Sequence, residues 1–305
     1  IAKYRGRYRM GWDALRRERH ARMIDLGIVD ARWPLTPRDE RVPAWEDIGE
    51  RAKWRLEELG EGKPRGLRWE DARDADAWDL KMAVYAAMID RMDQNIGRIL
   101  DKIREQGEED NTLVMFLSDN GGCAELVHIT QDVPPGPVNS YRTVDPPWAN
   151  AQNTPFRMYK RFNHEGGIAT PFIAYWPAVI EPGGITQEVG HLIDIMPTFL
   201  ELGEVVKLPE LRADVNVAFE GKSLLPVLRG ERWIEQRSLF WRFSDCRAVR
   251  TGDWKLVQAG DESPWELYDL AADRTEMHDL AESMPERVAT MAREWAAWAE
   301  RVGAH

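Results

Sequence analysis

Thr112 to Gly122 reads TLVMFLSDNGG: a mostly apolar run, a serine, Asp119 and Asn120 side by side, then two glycines. A short apolar run bounded by turn residues fits a strand covered on both faces, as in a parallel sheet. At the C-terminal end of such a strand, side chains project into the crevice where open α/β sheets bind ligands. Asp119 and Asn120 offer hard oxygens of the kind Ca²⁺ or Mg²⁺ prefers, and the glycines allow close backbone approach. An Asn-Gly turn with Asp119 as a cap accounts for the motif equally well, so a second feature is needed.

Upstream, Met82, Tyr85, Ile89, Met92, Ile96, Ile99 and Ile103 recur at three- and four-residue steps. That spacing predicts one face of a long amphipathic helix from about 76 to 105. Helix, tight loop and strand then make an α/β crossover. Downstream, 123–154 reads as a polar, proline-rich loop of a length that usually carries function. IATPFIAYWP is a second buried strand, and Leu192 to Leu200 starts a helix that tolerates Pro197 only near its first turn. After Glu231, SLFWRF, RAVRTGDWKLVQA and WELYDL are short strand-like runs separated by turns, which predict an antiparallel sheet. Val288, Met291, Trp295 and Trp298 place a terminal helix on it, and a domain boundary falls near 230.

The chain has 305 residues and a formal charge of -11, which argues against a nucleic-acid or anionic-membrane surface while leaving room for a local basic pocket. Its longest apolar stretches, such as Ile168 to Ile180, are interrupted and fall short of the ~20 residues of a membrane span. Two cysteines exclude a disulfide framework, and the start at Ile1 with no leader points to an N-terminus cut short. Of 14 tryptophans, six (Trp12, Trp33, Trp45, Trp54, Trp69, Trp78) fall before residue 80, in a charged, Arg-rich tract. Core packing is the favoured use for them, with stacking on sugar rings as the alternative.

The second feature is KRFNHEGG, Lys160 to Gly167. A fixed cation and an imidazole near one turn suit binding and protonating an anionic ester, although a surface Lys and a loop His are common in any protein. TLVMFLSDNGG, TPFRMYKRFNHEGGIATPFIAYWP, HLIDIMPTFLELG, GKSLLPVLRG, RAVRTGDWKLV and ELYDLAADRTEMHDLA, in that order, resemble the bacterial arylsulfatases of the alkaline-phosphatase-like superfamily from end to end of the chain.

The resemblance implies an α/β fold: part of a mainly parallel or mixed sheet sandwiched by helices over 1–230, with an insertion at about 1–75, then a small antiparallel-sheet domain with a C-terminal helix over 231–305. It places metal-ligand roles on Asp119 and Asn120, for Ca²⁺ or Mg²⁺. It places on Lys160 the binding of sulfate and assistance to the departing ester oxygen, and on His164 only a substrate contact. Glu165, Gly166 and Gly167 are read as shaping the loop. It further implies a small-molecule or glycan sulfate ester as substrate, a formylglycine-generating maturation enzyme as partner, and a periplasmic or secreted setting.

The family's formylglycine arises from a cysteine or serine in C-x-P-S-R, and as a hydrate it attacks sulfur. That tract, the family's N-terminal aspartate pair and its second lysine are absent from these 305 residues. The expectation is a C-terminal portion, inactive alone, that exposes a sheet edge and an apolar face. Cys246-Arg-Ala-Val-Arg satisfies a loose C-x-[PA]-x-R pattern, but GDWKLV continues at once as a strand, so Cys246 is read as a decoy. Two alternatives stand beside the sulfatase reading: a phosphodiesterase or phosphonate hydrolase of the same superfamily, and a non-catalytic glycan-binding module.

Overall fold

The computed structural model describes residues 1–48, 75–125, 130, 133–204, 219–232 and 237–304. Trp54, Trp69 and the rest of 49–74 in the 1–75 insertion lie outside them. The described chain falls into two compact units, one of Ile1–Arg98, Asn120–Thr170 and Arg237–His305, the other of Ile99–Asp119 and Pro171–Gln236.

In the first unit, helix α1 (Gly11–Asp25) and the start of helix α2 (Ala75–Glu105) meet helix α3 (Asp145–Gln152) around a core of tryptophans. Trp12 lies edge-on to Trp45, Trp78 and Trp148, with ring centroids 4.8, 5.4 and 5.5 Å away. Buried indoles need partners for their N–H groups. Trp12 Nε1 donates to Pro43 O at 2.9 Å, and Trp148 Nε1 to Trp78 O at 3.1 Å. Packing is thus the use made of Trp12, Trp33 and Trp78, all buried.

The stretch 123–154, expected to be loop throughout, contains α3, whose sequence DPPWANAQ opens on two prolines. Proline is at home in a first helical turn, where its missing N–H has no partner to lose. Beneath it Asp145 and Lys81 form a buried ion pair.

The same unit holds a four-stranded antiparallel sheet in the order β3 (Ser238–Phe243), β4 (Cys246–Thr251), β5 (Trp254–Gln258), β6 (Glu266–Asp269). The terminal helix, here α7 (Pro285–Val302), packs Met291, Trp295 and Ala299 against Val249, Leu256 and Leu267. Sheet and helix match the sequence expectation.

The second unit contains strands β1 (Val114–Leu117) and β2 (Phe172–Tyr175) with helices α5 (Ile195–Leu202) and α6 (Leu225–Leu228); one further turn, α4 (Glu165–Ile168), belongs to the first unit. The two strands pair antiparallel, Val114 opposite Tyr175 and Leu117 opposite Phe172. This departs from the expectation of parallel strands covered on both faces. An apolar run encodes burial but not the sense of pairing, and with two strands in the sheet among the described residues its faces stay open: Ile173 is 60% exposed. On α2, Ile89, Met92 and Ile99 are likewise exposed, and no described helix is long and apolar enough to cross a membrane.

Candidate active site

The two glycine pairs explain each other. The Gly121 amide donates to Gly167 O at 2.9 Å, and the Lys160 amide to Gly122 O at 3.1 Å. A Cβ on Gly121 would lie 1.8 Å from Gly166 O, and one on Gly122 would lie 2.7 Å from Gln152 Oε1. Gly166 and Gly167 are as tightly enclosed, with a Cβ on either 2.1 Å or less from the carbonyls of Arg157 and Phe162 respectively. Main chain from the DNGG turn therefore lies directly on main chain from the HEGG turn, which brings Asn120 and Lys160 into one neighbourhood.

Lys160 sits in a loop of left-handed backbone, with φ +64° at Met158 and +93° at Arg161. Tyr159 anchors it from below: buried, its hydroxyl donates to Asp39 at 2.5 Å, and Arg41 lies over its ring. Burial, and then the Asp39 charge, push the Tyr159 phenol far above its ordinary range. The Lys160 side chain stays 34% exposed, with Nζ 3.6 Å from Glu125 Oε2. Cys123 shares that carboxylate at 3.3 Å, and burial raises its thiol pKa, the opposite of an activated thiolate.

His164 and Glu165 point away from solvent into the C-terminal sheet. His164 is fully buried, its Nε2 3.2 Å from Glu266 Oε2. Burial works against the Glu266 charge, but the His164 hydrogen bond and charge, Tyr268 and Arg157 outweigh it and hold the carboxyl down to about 2. Glu165 accepts from Lys255 at 2.8 Å and from Arg274 at 2.6 Å, while its amide donates to Glu276 at 2.8 Å. Lys255 also lies 2.8 Å from Glu276. Burial would raise the Glu165 pKa, yet Lys255 and Arg274 keep it well below the carboxylate range.

Lys255, Glu266, Arg274 and Glu276 were not singled out from sequence. The usable signal was Lys255 inside the apolar strand WKLVQ: a lysine there must meet a buried acid. Cys246 opens β4, 1% exposed, with Sγ 3.3 Å from Ala259 O. Burial and the Asp245 charge raise its pKa, consistent with a structural thiol.

For a divalent cation, the donors at the end of the DNGG turn are right in kind: Asp119 is exposed, and Asn120 is turned so that its Nδ2 donates to Gly121 O at 2.9 Å. They are too few, since Ca²⁺ takes six to eight oxygens. Among the described residues no group of three or more His, Cys, Asp or Glu could hold a metal.

Comparison with known proteins supplies the family. Residues 3–205 match the Sulfatase family model, and 156–295 match N-sulphoglucosamine sulphohydrolase, C-terminal. An uncharacterized sulfatase of Schizosaccharomyces pombe is 32% identical over 99% of this chain and 54% of its own length. An arylsulfatase of Klebsiella aerogenes is 28% identical over 75% of this chain and 45% of its own. A solved structure in complex with its substrate, D-glucosamine-2-N,6-O-disulfate, matches with TM-score 0.52 at 21% identity, over 89% of this chain and 53% of that one, and shows the fold. The chain thus spans about half the length of these relatives. The interlocked DNGG and HEGG turns, the C-terminal sheet with its helix and the two family matches agree: this chain belongs to the sulfatase family.

Proposed function

We propose that this chain carries part of the active site of a sulfate-ester hydrolase, with Asp119 and Asn120 as oxygen ligands to a divalent cation and Lys160 as the cation that binds the sulfate. The observation that supports this reading is the backbone contact of Gly121 and Gly122 with Gly167 and Lys160, which keeps Asn120 and Lys160 in register. The cation, Ca²⁺ or Mg²⁺, would supply charge neutralisation at the sulfate oxygens. Lys160 is exposed enough to exchange Glu125 for a sulfate oxygen, and its ammonium protons would follow the ester oxygen as it leaves.

Neither Cys123 nor Cys246 lies in the C-x-P-S-R motif of a formylglycine; a maturation enzyme acting elsewhere in the protein belongs to the same proposal. His164, buried against Glu266, serves this reading as an anchor of the loop in place of a substrate contact. We take a sulfated sugar as the substrate class, by analogy with the relative bound to a glucosamine disulfate. Residues 1–230 are assigned to the catalytic α/β domain and 231–305 to the smaller one.

The test is sulfate release by the full-length protein, produced with a formylglycine-generating enzyme, from glucosamine 6-sulfate and 4-nitrophenyl sulfate. Asp119→Ala and Lys160→Ala should each lower kcat/KM by about 100-fold or more. Wild-type turnover by either variant would remove the assignment, and preference for a phosphonate monoester would move the chain to the related hydrolases.

A further inference from the structure

One oxygen joins both ends of the loop that presents Lys160. Glu266 Oε2, on β6, accepts from Arg157 Nη1 at 3.3 Å and lies 3.2 Å from His164 Nε2. Residues 157 and 164 bracket the loop, with Lys160 between them. We propose that Glu266 is a positioning residue for sulfate-ester cleavage: its carboxylate staples the Arg157–His164 loop shut and so sets where the Lys160 ammonium stands. This rests on the role given to Lys160 above.

Three observations carry it. The side chain of Lys160 is not held by its own contacts, because a partly exposed pair at 3.6 Å contributes little. Its position therefore comes from the backbone. That backbone is strained on both sides, at Met158 and Arg161, and left-handed non-glycine residues persist only where the surroundings impose them. The groups that impose it can be named. The Lys160 amide is held by Gly122 O at 3.1 Å, Met158 O by Asn153 Nδ2 at 3.0 Å and Tyr159 by Asp39; the Gly166 amide closes the main chain on Arg157 O at 3.0 Å, and Glu266 draws the side chains of Arg157 and His164 together.

The third observation is the chemistry of the staple. Glu266 is further fixed by the Tyr268 hydroxyl, which itself receives Arg157 Nη1 at 3.1 Å. With Arg157 31% and Glu266 19% exposed, the ion pair is only partly buried and adds modestly to stability, so what it supplies is geometry. Glutamine at 266 would keep the shape, but its uncharged oxygen offers two lone pairs to the three donors that meet Oε2, from Arg157, His164 and Tyr268, so the charge-assisted bonds weaken, one donor is released and the loop loosens.

If Lys160 assists the departing oxygen, its displacement should matter most where that oxygen leaves poorly. In the full-length enzyme, Glu266→Gln should lower kcat/KM at least tenfold on glucosamine 6-sulfate, a poor leaving group, and less than threefold on 4-nitrophenyl sulfate. In a Lys160→Ala background the same substitution should leave the ratio between the two esters unchanged. Equal losses on both esters, or the same selective loss without Lys160, would overturn the staple while leaving the sulfatase reading intact. Wild-type turnover by Lys160→Ala alone would instead remove the reading beneath it. Should Glu266→Gln fail to fold, Tyr268→Phe, which removes one hydroxyl from the staple, decides: a smaller selective loss on the sugar sulfate supports it, and an unchanged ratio overturns it.

Discussion

The amide of Gly121 donates to the carbonyl of Gly167, and the same contact leaves no room for a side chain at 121. Gly121→Ala is therefore expected to push the DNGG turn off the HEGG turn, since the obstacle is backbone and cannot swing aside. The cost should be about 3 kcal/mol, the upper range for overpacking, together with loss of sulfate release. Urea unfolding and a turnover assay on the same preparation check it.

Lys255 faces both Glu165 and Glu276 at 2.8 Å in a fully buried setting. Lys255→Met would leave two buried carboxylates, with Arg274 as the remaining ion-pair partner on the Glu165 side and the charge of Arg250 acting there besides. Removing one partner of a buried charge cluster costs about 3–5 kcal/mol. A fall of that size in the free energy of denaturant unfolding is expected.

Acid should loosen the same region first. Glu266 is depressed from 4.5 to about 2, and Glu165 is depressed as well. Between these values the unfolded chain binds the proton and the folded chain does not, so the stabilisation is complete above about pH 4.5 and is lost as pH falls toward 2. Urea midpoints recorded from pH 6 to pH 2 should drop across that window, and Glu266→Gln should flatten part of the drop.

Cys246→Ala should leave turnover at the wild-type level, because the thiol is buried in β4 and its pKa is raised. Peptide mass spectrometry should find an unmodified thiol at Cys246 in protein made with the maturation enzyme. An aldehyde there would reverse the assignment.

Chelation tests the cation. Dialysis of the full-length protein against a strong chelator should abolish sulfate release, and titration with Ca²⁺ or Mg²⁺ should restore it and identify the ion. Asp119→Ala should raise the concentration needed at least tenfold.

Periodicity made α2, the β3–β6 sheet and α7 legible, because each repeats its apolar residues over many positions. It did not reveal α3, where Pro146 and Pro147 look like loop until their place in a first turn is known. The antiparallel sense of β1 and β2 was hidden because four apolar residues carry no direction. Asn120 and Lys160 were recognisable as a pair of motifs, and the structure brings their main chains together through the glycines. The staple was not readable: Glu266 lies 109 residues from Arg157 and 102 from His164, and nothing local in ELYD marks an acid that will meet both.

The charged contacts of Glu165 and His164 also bear on modularity. A gene cut near codon 230 would encode a protein in which Glu165 has lost Lys255 and Arg274, and His164 has lost Glu266. The C-terminal sheet is thus no interchangeable cassette. Grafting it from one family member to another should succeed only when the partners of the HEGG turn travel with it.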